Sequence, residues 1–293
     1  MFKRFGSSKL KNKIKFIISI KHSVKNFDSV VISVLRNNFP INVVFKDGIQ
    51  MDVFYLHDLV FLSRNNAWKY CQIDKEGMLS VQFKNKTAKF SDWRHNGDIH
   101  GIFITKDYSE LPIKNSIVVD AGANIGDSSI YFALCGAKKI ISIEPVEINY
   151  QSQKNNVKLN NLENISMRKA ILSETSGEII IDKNNLTTGH IKECSIDESG
   201  EIVEKITLED IVHQYKIDSG ILKMDIEGYE YGIIRSSNPK ILLKFHHIII
   251  ELHGEEIELI NEMKDKLEQI GFDIKISTVT STYGTSTFLN AKK

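Results

Sequence analysis

The chain is 293 residues long, which permits one large domain or two modest ones and leaves ample chain for a real core. Its formal net charge is +1, yet nine Lys and Arg against the single acid Asp28 fall within the first 36 residues, so the basic charge is localised and the remainder is net acidic. No segment approaches the roughly 20 apolar residues that span a bilayer, and Cys71, Cys135 and Cys194 have no C-x-x-C spacing, which favours reduced, structural thiols over a zinc site or disulfide framework.

From Lys9 to Asn37 basic residues alternate with Leu10, Ile14, Ile17, Ile18, Val24, Val30, Val31, Val34 and Leu35 at helical spacing, which predicts one or two helices closed by Pro40. The apolar run Phe16 to Ile20 is shorter than the core of a signal peptide, so the expected location is cytoplasmic. A basic amphipathic segment of this kind either touches an anionic membrane from the side or presents a solvated face over a packed one.

Ile41 to Phe45 and Ile49 to Phe54, joined by Lys46-Asp47-Gly48, predict a hairpin, and Met78 to Phe83 a further strand before a polar region with Trp93, Arg94, His95 and Asn96. After Pro112 the pattern changes to strands alternating with helices. Residues 1–110 are therefore read as a basic helical and β-rich lead-in region, and 111–293 as the main domain.

The main domain is organised around Val118 to Ser128. Ile117, Val118 and Val119 are β-branched and continuous, as in a parallel strand buried on both faces. Gly122 and Gly126 allow a sharp bend or close approach of a ligand, and Asp127 and Ser128 are expected to cap the helix that carries Ile130, Tyr131, Phe132 and Leu134. Lys139 to Ile143 reads as a second strand that ends in Glu144 and Pro145, and Glu144 stands eighteen residues beyond Gly126. A carboxylate about 20 residues after such a turn is where a ribose diol is held by charge-assisted hydrogen bonds.

Tyr150 to Leu159 predicts a helix, Ile165 to Met167 a third strand, and Lys169-Ala170-Ile171 the strand end where an adenine ring would rest. Strands at Ile179 to Asp182 and Ile202 to Ile206 flank a polar loop, Asn184 to Gly200, whose His190 is a substrate contact or a solvent-exposed loop residue. Thr207 to Asp210 starts a helix with a capping-box pattern. Ile221 to Glu230 reads as a strand whose alternation sends Lys223, Asp225 and Glu227 to one side, and charges on a central strand are costly unless paired or used. The strand His247 to Glu251 leads to His253 and Gly254, and a last helix with Leu259, Ile260, Met263 and Leu267 precedes strands near Phe272 to Ser277 and Ser286 to Asn290.

An open parallel sheet would gather the Gly122 to Ser128 turn, Glu144, Asp225 with Glu227, and Glu251 with His253 at one crevice. The turn and Glu144 suit a nucleoside, and the carboxylates and histidine suit removal of a proton from a hydroxyl nucleophile. The same four side chains have the ligand types for a divalent cation, and spacing alone leaves the metal open.

Val-Asp-Ala-Gly-Ala-Asn-Ile-Gly-Asp-Ser-Ser from Val119, Ile-Glu-Pro from Ile143, Thr-Leu-Glu-Asp from Thr207 and above all Leu-Lys-Met-Asp-Ile-Glu-Gly-Tyr-Glu from Leu222 resemble the FkbM family of S-adenosylmethionine-dependent methyltransferases. The resemblance runs from about Tyr108 to Lys293, and its specific part is Asp-Ile-Glu-Gly. It implies an α/β, Rossmann-like class I methyltransferase fold, a seven-stranded mostly parallel sheet with an antiparallel last strand, and methyl transfer to hydroxyls of sugars, glycans, glycolipids or secondary metabolites. By the same resemblance Asp120, Gly122, Asn124, Gly126, Asp127 and Ser128 would surround the methionine part of S-adenosyl-L-methionine, Glu144 with Pro145 its ribose, and Ala170 its adenine. Asp225 would sit nearest the methyl group, Glu251 and His253 match the Glu and His that recur in the family after the fifth strand, and Glu227 of the same motif joins them as a catalytic candidate. Lys169 departs from the polar Asn or Asp common before the Ala.

Three rivals have their own signatures. A nicotinamide dehydrogenase needs G-x-G-x-x-G, but Asn124 occupies the middle glycine's place. A nucleic-acid methyltransferase would use the basic N-terminus, but the chain has no Asn-Pro-Pro-aromatic motif and no basic cluster interleaved with aromatics. A non-catalytic nucleoside-binding module would keep cofactor binding without transfer. The localised basic charge tilts the expected acceptor toward an anionic or membrane-associated one.

Overall fold

The structure is a computed structural model, and it describes residues 17–94, 98–182, 200–254, 257–281 and 284–293. The expected loop 184–199, with His190, and Cys194 lie outside the described residues, as do His95 and Asn96 and the chain before Ile17. Described residues up to Trp93, together with Asp98–Asp107, form one compact unit, and those from Tyr108 onward form another.

In the first unit, after helical residues 17–20, the helix Phe27–Arg36 buries Val30 and Val34 and ends at Asn37 in the left-handed conformation. The expected hairpin is present as β1 (Ile41–Val44) and β2 (Gln50–Val53), paired antiparallel. A helix follows at Leu56–Ser63, and β3 (Cys71–Ile73), β4 (Leu79–Phe83) and β5 (Lys86–Phe90) make an antiparallel sheet. The sequence pattern reveals only β4 of these three, because β3 is three residues long and β5 carries Lys86, Thr87 and Lys89. Phe45 stacks on Trp68 at 4.6 Å, and Trp93, expected in a polar region, is buried with its indole N–H donated to the Gly77 carbonyl.

The second unit is built on a seven-stranded sheet. Its strands are β6 (Ile117–Ala121), β7 (Lys139–Ile143), β8 (Ile165–Arg168), β12 (Gly220–Met224), β13 (Phe245–Leu252), β14 (Asp273–Ser281) and β15 (Gly284–Lys292), in the order β14-β15-β13-β12-β6-β7-β8. β6, β7, β8, β12 and β13 run parallel, and β15 enters antiparallel between β13 and β14. Val119, Ile141, Leu222, Ile248, Ile250 and Leu289 come together in one core from strands far apart in sequence, the buried pattern that continuous β-branched runs predict. The order reverses on either side of β6, and that reversal opens a crevice at the carboxyl ends of the strands. This is the Rossmann-like fold of class I methyltransferases.

A smaller sheet joins β9 (Ala170–Leu172), β10 (Gly177–Asp182) and β11 (Gly200–Ile206). Helices follow the strands at Asp127–Leu134, Glu147–Leu159, Leu208–Tyr215, Glu230–Ser236 and Ile257–Gln269. The capping box is formed, with the Thr207 hydroxyl accepting from the Asp210 amide and the Asp210 carboxylate accepting from the Thr207 amide.

Two local expectations are corrected. The strand read as Ile221 to Glu230 stops at Met224, because Glu227 (φ 58°) and Gly228 (φ 105°) turn the chain into the helix at Glu230. The helix at Asp127 has Gly126 as its N-cap and no side-chain cap bond. Asp127 accepts the neighbouring Ser128 amide at 3.0 Å, and the Ser128 hydroxyl is drawn to the buried Asp120 carboxylate at 2.7 Å.

Candidate active site

The glycine turn is fixed from two sides. The amides of Gly122 and Ala123 both donate to the Ile143 carbonyl at 3.0 Å, and the Asn124 amide donates to Glu144 Oε2 at 2.9 Å. Gly122 (φ 76°) and Gly126 (φ 86°) both occupy the left-handed region, and Asn124 (φ 50°) lies between them in the same region. A Cβ on Gly122 would lie 1.7 Å from the Asp225 carbonyl oxygen, so the turn after β6 and the turn after β12 are in backbone contact. One on Gly126 would lie 2.8 Å from Gln153 Cγ.

Beneath the turn is a buried polar floor. Asp120 is fully buried, and its Oδ2 accepts from Ser128 at 2.7 Å and from Ser129 at 2.5 Å. Its Oδ1 lies 3.3 Å from Lys223 Nζ. Lys223 is only 2% exposed, donates to the Gly122 carbonyl at 2.8 Å, and reaches Asp225 Oδ2 at 3.5 Å. Burial alone would lower the proton affinity of Lys223, but the charges of Asp120, Asp225 and Asp127 outweigh it and raise the pKa well above the ordinary lysine value. From the sequence Ser129 is read only inside the quoted motif, without a role, and Lys223 as a charge needing a partner, without Asp120 as that partner.

Glu144 stands at the end of β7, buried, where its Oε1 accepts from the Val146 amide at 3.0 Å and from Asn149 at 3.3 Å. Burial pushes its pKa up to about 7 against those bonds. Oε2 accepts the Asn124 amide and has a second acceptor position. That acceptor position, beside the turn, suits a donating hydroxyl of a ribose diol, so Glu144 fits a nucleoside cofactor. Ala170 stands apart from this chain of contacts: it is fully buried and pairs with Glu204 of β11 in the smaller sheet. Lys169 next to it bonds both Glu147 and Glu201.

The mouth of the crevice brings the expected catalytic residues together. His253 Nε2 lies 3.6 Å from Asp225 Oδ1 and 3.8 Å from Glu227 Oε2. Its Nδ1 bonds Glu230 Oε1 at 2.9 Å. Burial would lower the His253 pKa, but the Glu230 bond and the charges of Asp225, Glu230 and Glu227 raise it to about 9, so the ring is an imidazolium at neutral pH. Glu251 is pushed up to about 7, first by burial and then by the charge of Asp225. Among the described residues Asp225, Glu251 and His253 each offer one ligand atom within 4.8 Å of the others. A divalent cation there would have to displace the proton that Glu230, Asp225 and Glu227 hold on His253.

A crossover sheet with an inserted antiparallel strand, a tight glycine turn after its first strand, and titratable groups at its carboxyl edge together define a class I methyltransferase. The Methyltransferase FkbM domain model matches residues 120–274, and the chain belongs to the FkbM methyltransferase family. Its relatives include methyltransferase sdnD of Sordaria araneosa, 26% identical over 202 residues that cover 57% of this chain and 77% of that protein. A ribosomal protein L11 methyltransferase of Thermoanaerobacter pseudethanolicus is 26% identical over 160 residues, 53% of this chain and 46% of that protein. Similar solved structures include an rRNA methylase from Streptococcus thermophilus, with a TM-score of 0.40 and 15% identity over 61% of this chain and 88% of that one. Another is precorrin-6y C5,15-methyltransferase from Geobacter metallireducens, with a TM-score of 0.35 and 12% identity over 61% of this chain and 82% of that one.

Proposed function

We propose that the chain is an S-adenosylmethionine-dependent O-methyltransferase whose acceptor is a hydroxyl of an uncharged sugar, glycan, glycolipid or secondary metabolite. The observation that carries this reading is the backbone contact between Gly122 and Asp225, which sets a nucleoside-type turn directly against a cluster of carboxylates. When bound, S-adenosylmethionine supplies an electrophilic methyl group on a sulfonium sulfur that keeps the electron pair of the broken bond.

The residues around the turn then have separable duties. Asp120, Gly122, Asn124, Gly126, Asp127 and Ser128 shape the methionine end, Glu144 and Pro145 the ribose end, and Ala170 the adenine end. Asp225 orients the acceptor and offsets positive charge beside it. Glu251 takes the hydroxyl proton, because a carboxyl group pushed up to about 7 is matched to proton transfer at neutral pH. His253 and Glu227 balance charge around Asp225 and bound the acceptor's place. Orientation supplies much of the rate, since the acceptor oxygen must be held about 3 Å from the methyl carbon.

Asp225, Glu227, Glu230 and Glu251 outnumber the His253 imidazolium and the Lys223 ammonium, which favours an uncharged acceptor over the anionic one expected from the basic N-terminus and argues against nucleic acid. No helix among the described residues is long and apolar enough to cross a membrane. Contact with an anionic membrane through the basic N-terminal segment, in the cytoplasm, is part of the same proposal. Labelled S-adenosylmethionine offered with neutral glycosides, glycolipids and RNA tests the acceptor class. Label in a glycoside or glycolipid supports the reading, and label only in RNA overturns it.

A further inference from the structure

We propose that Glu230 is the positioning residue of this site: its buried carboxylate ties the turn that carries Asp225 and Glu227 to His253, and holds the imidazole with Nδ1 inward and Nε2 facing the mouth. What this does for catalysis rests on the methyltransferase reading, but the geometry does not. Glu230 opens a short helix and has no exposed surface. Its Oε1 accepts the Ile226 amide at 2.8 Å as well as the His253 ring N–H at 2.9 Å, and its Oε2 accepts the Gly228 amide at 2.8 Å.

Each bond has a reason in the local backbone. Glu227 is a non-glycine residue at φ 58°, a strained conformation that persists only where the surroundings hold it. The two amides that Glu230 accepts lie on either side of Glu227, so the carboxylate clamps the strained residue from below. A buried carboxylate without such partners would be costly, and two amides with one ring N–H satisfy it. His253 is anchored at its other end by the Tyr231 hydroxyl, which donates to the His253 carbonyl at 3.1 Å. The ring therefore has one orientation, with Nε2 at 3.6 Å from Asp225 and 3.8 Å from Glu227.

The consequence is electrostatic. Glu230, Asp225, Glu227 and Glu251 face His253, and Lys223 is the cation behind Asp225. With a carboxylate on Nδ1 the ring keeps both protons at neutral pH, which makes it a fixed positive group in the mouth and leaves proton acceptance to Glu251. The raised His253 pKa agrees with that arrangement.

The experiment is nitrogen-15 NMR of the full chain with labelled histidine, titrated without ligand. For wild type we expect His253 doubly protonated at pH 7 and losing its proton near pH 9. Glu230→Gln should lower its proton affinity by about tenfold or more, the effect of removing one close carboxylate. A wild-type His253 whose nitrogen shifts show a neutral ring with its proton on Nε2 and none on Nδ1 overturns the proposal without any variant, so misfolding of Glu230→Gln cannot shelter it. An unchanged titration in a folded Glu230→Gln also overturns it, since a merely space-filling Glu230 would leave the ring's proton affinity alone. Calorimetry with S-adenosylhomocysteine on the same samples is read separately: absence of binding removes the cofactor reading and leaves the His253 result standing.

Discussion

The ammonium of Lys223 lies 3.5 Å from the carboxylate of Asp225, and this pair ties the buried floor of β6 to the mouth of the crevice. The same ammonium is 3.3 Å from Asp120, which is fully buried. Lys223→Met keeps the volume and removes the charge, which leaves the Asp120 carboxylate uncompensated. Breaking a buried pair in this way costs about 3–5 kcal/mol. Urea unfolding of the variant should register a loss of that order, and a loss under about 1 kcal/mol would mean that the pair contributes little.

Gly122→Ala is expected to separate the two turns. The added Cβ would overlap the Asp225 carbonyl oxygen, and backbone offers no flexible side chain to yield. Strain at φ 76° adds to the overlap. The variant should bind S-adenosylhomocysteine at least about tenfold more weakly, roughly 1.4 kcal/mol. Gly228→Ala, where a Cβ meets nothing within 4 Å, should suffer from its left-handed φ alone and bind closer to wild type. Equal affinities for all three proteins would contradict the contact's role.

Glu251→Gln should spare cofactor affinity and lower turnover by about 100-fold, the lower end of what a positioned general base supplies. The wild-type rate should rise with pH through about 7 as Glu251 loses its proton, and the variant should lack that limb. Steady-state rates from pH 5 to 9 on a labelled glycoside acceptor check both statements. A retained limb in Glu251→Gln would move the base to another group.

The His253 pKa carries a stability consequence of definite sign. It is raised from 6.5 to about 9, so the native state holds this proton to higher pH than the unfolded chain does. Stabilisation from this group is complete below about pH 6.5 and is lost as the pH rises through about 9. Denaturation midpoints should fall over that window in wild type and fall less in His253→Gln. Parallel curves for the two proteins would contradict the linkage.

The strand, turn and helix around Gly122 are legible because a β-branched run and two glycines are local signals. The seven-stranded sheet and its antiparallel last strand are what the resemblance implies, whereas periodicity marks the individual strands without their order or direction. Lys223 and Glu230 were harder to read for a physical reason. A lysine on a strand looks like a cost until a partner 103 residues away is known to pair with it, and Asp120 is that partner. Glu230 looks like an ordinary acid in the first turn of a helix, and its bond to His253 spans 23 residues. The smaller sheet is another long-range feature, since Ala170 pairs with Glu204 across the loop that the sequence marks only as polar. Strand limits erred at Met224 because left-handed φ at Glu227 has no sequence signal apart from the glycine after it.

The function proposed for this site depends on the Gly122 turn and Glu144 holding S-adenosylmethionine. The most direct measurement is calorimetric titration of wild type and Glu144→Ala with S-adenosylhomocysteine and, separately, with NAD⁺. We expect micromolar binding of S-adenosylhomocysteine by wild type, a loss of about tenfold or more in Glu144→Ala, and no binding of NAD⁺. Binding of NAD⁺ alone would contradict the cofactor, and wild-type affinity in Glu144→Ala would contradict the ribose assignment.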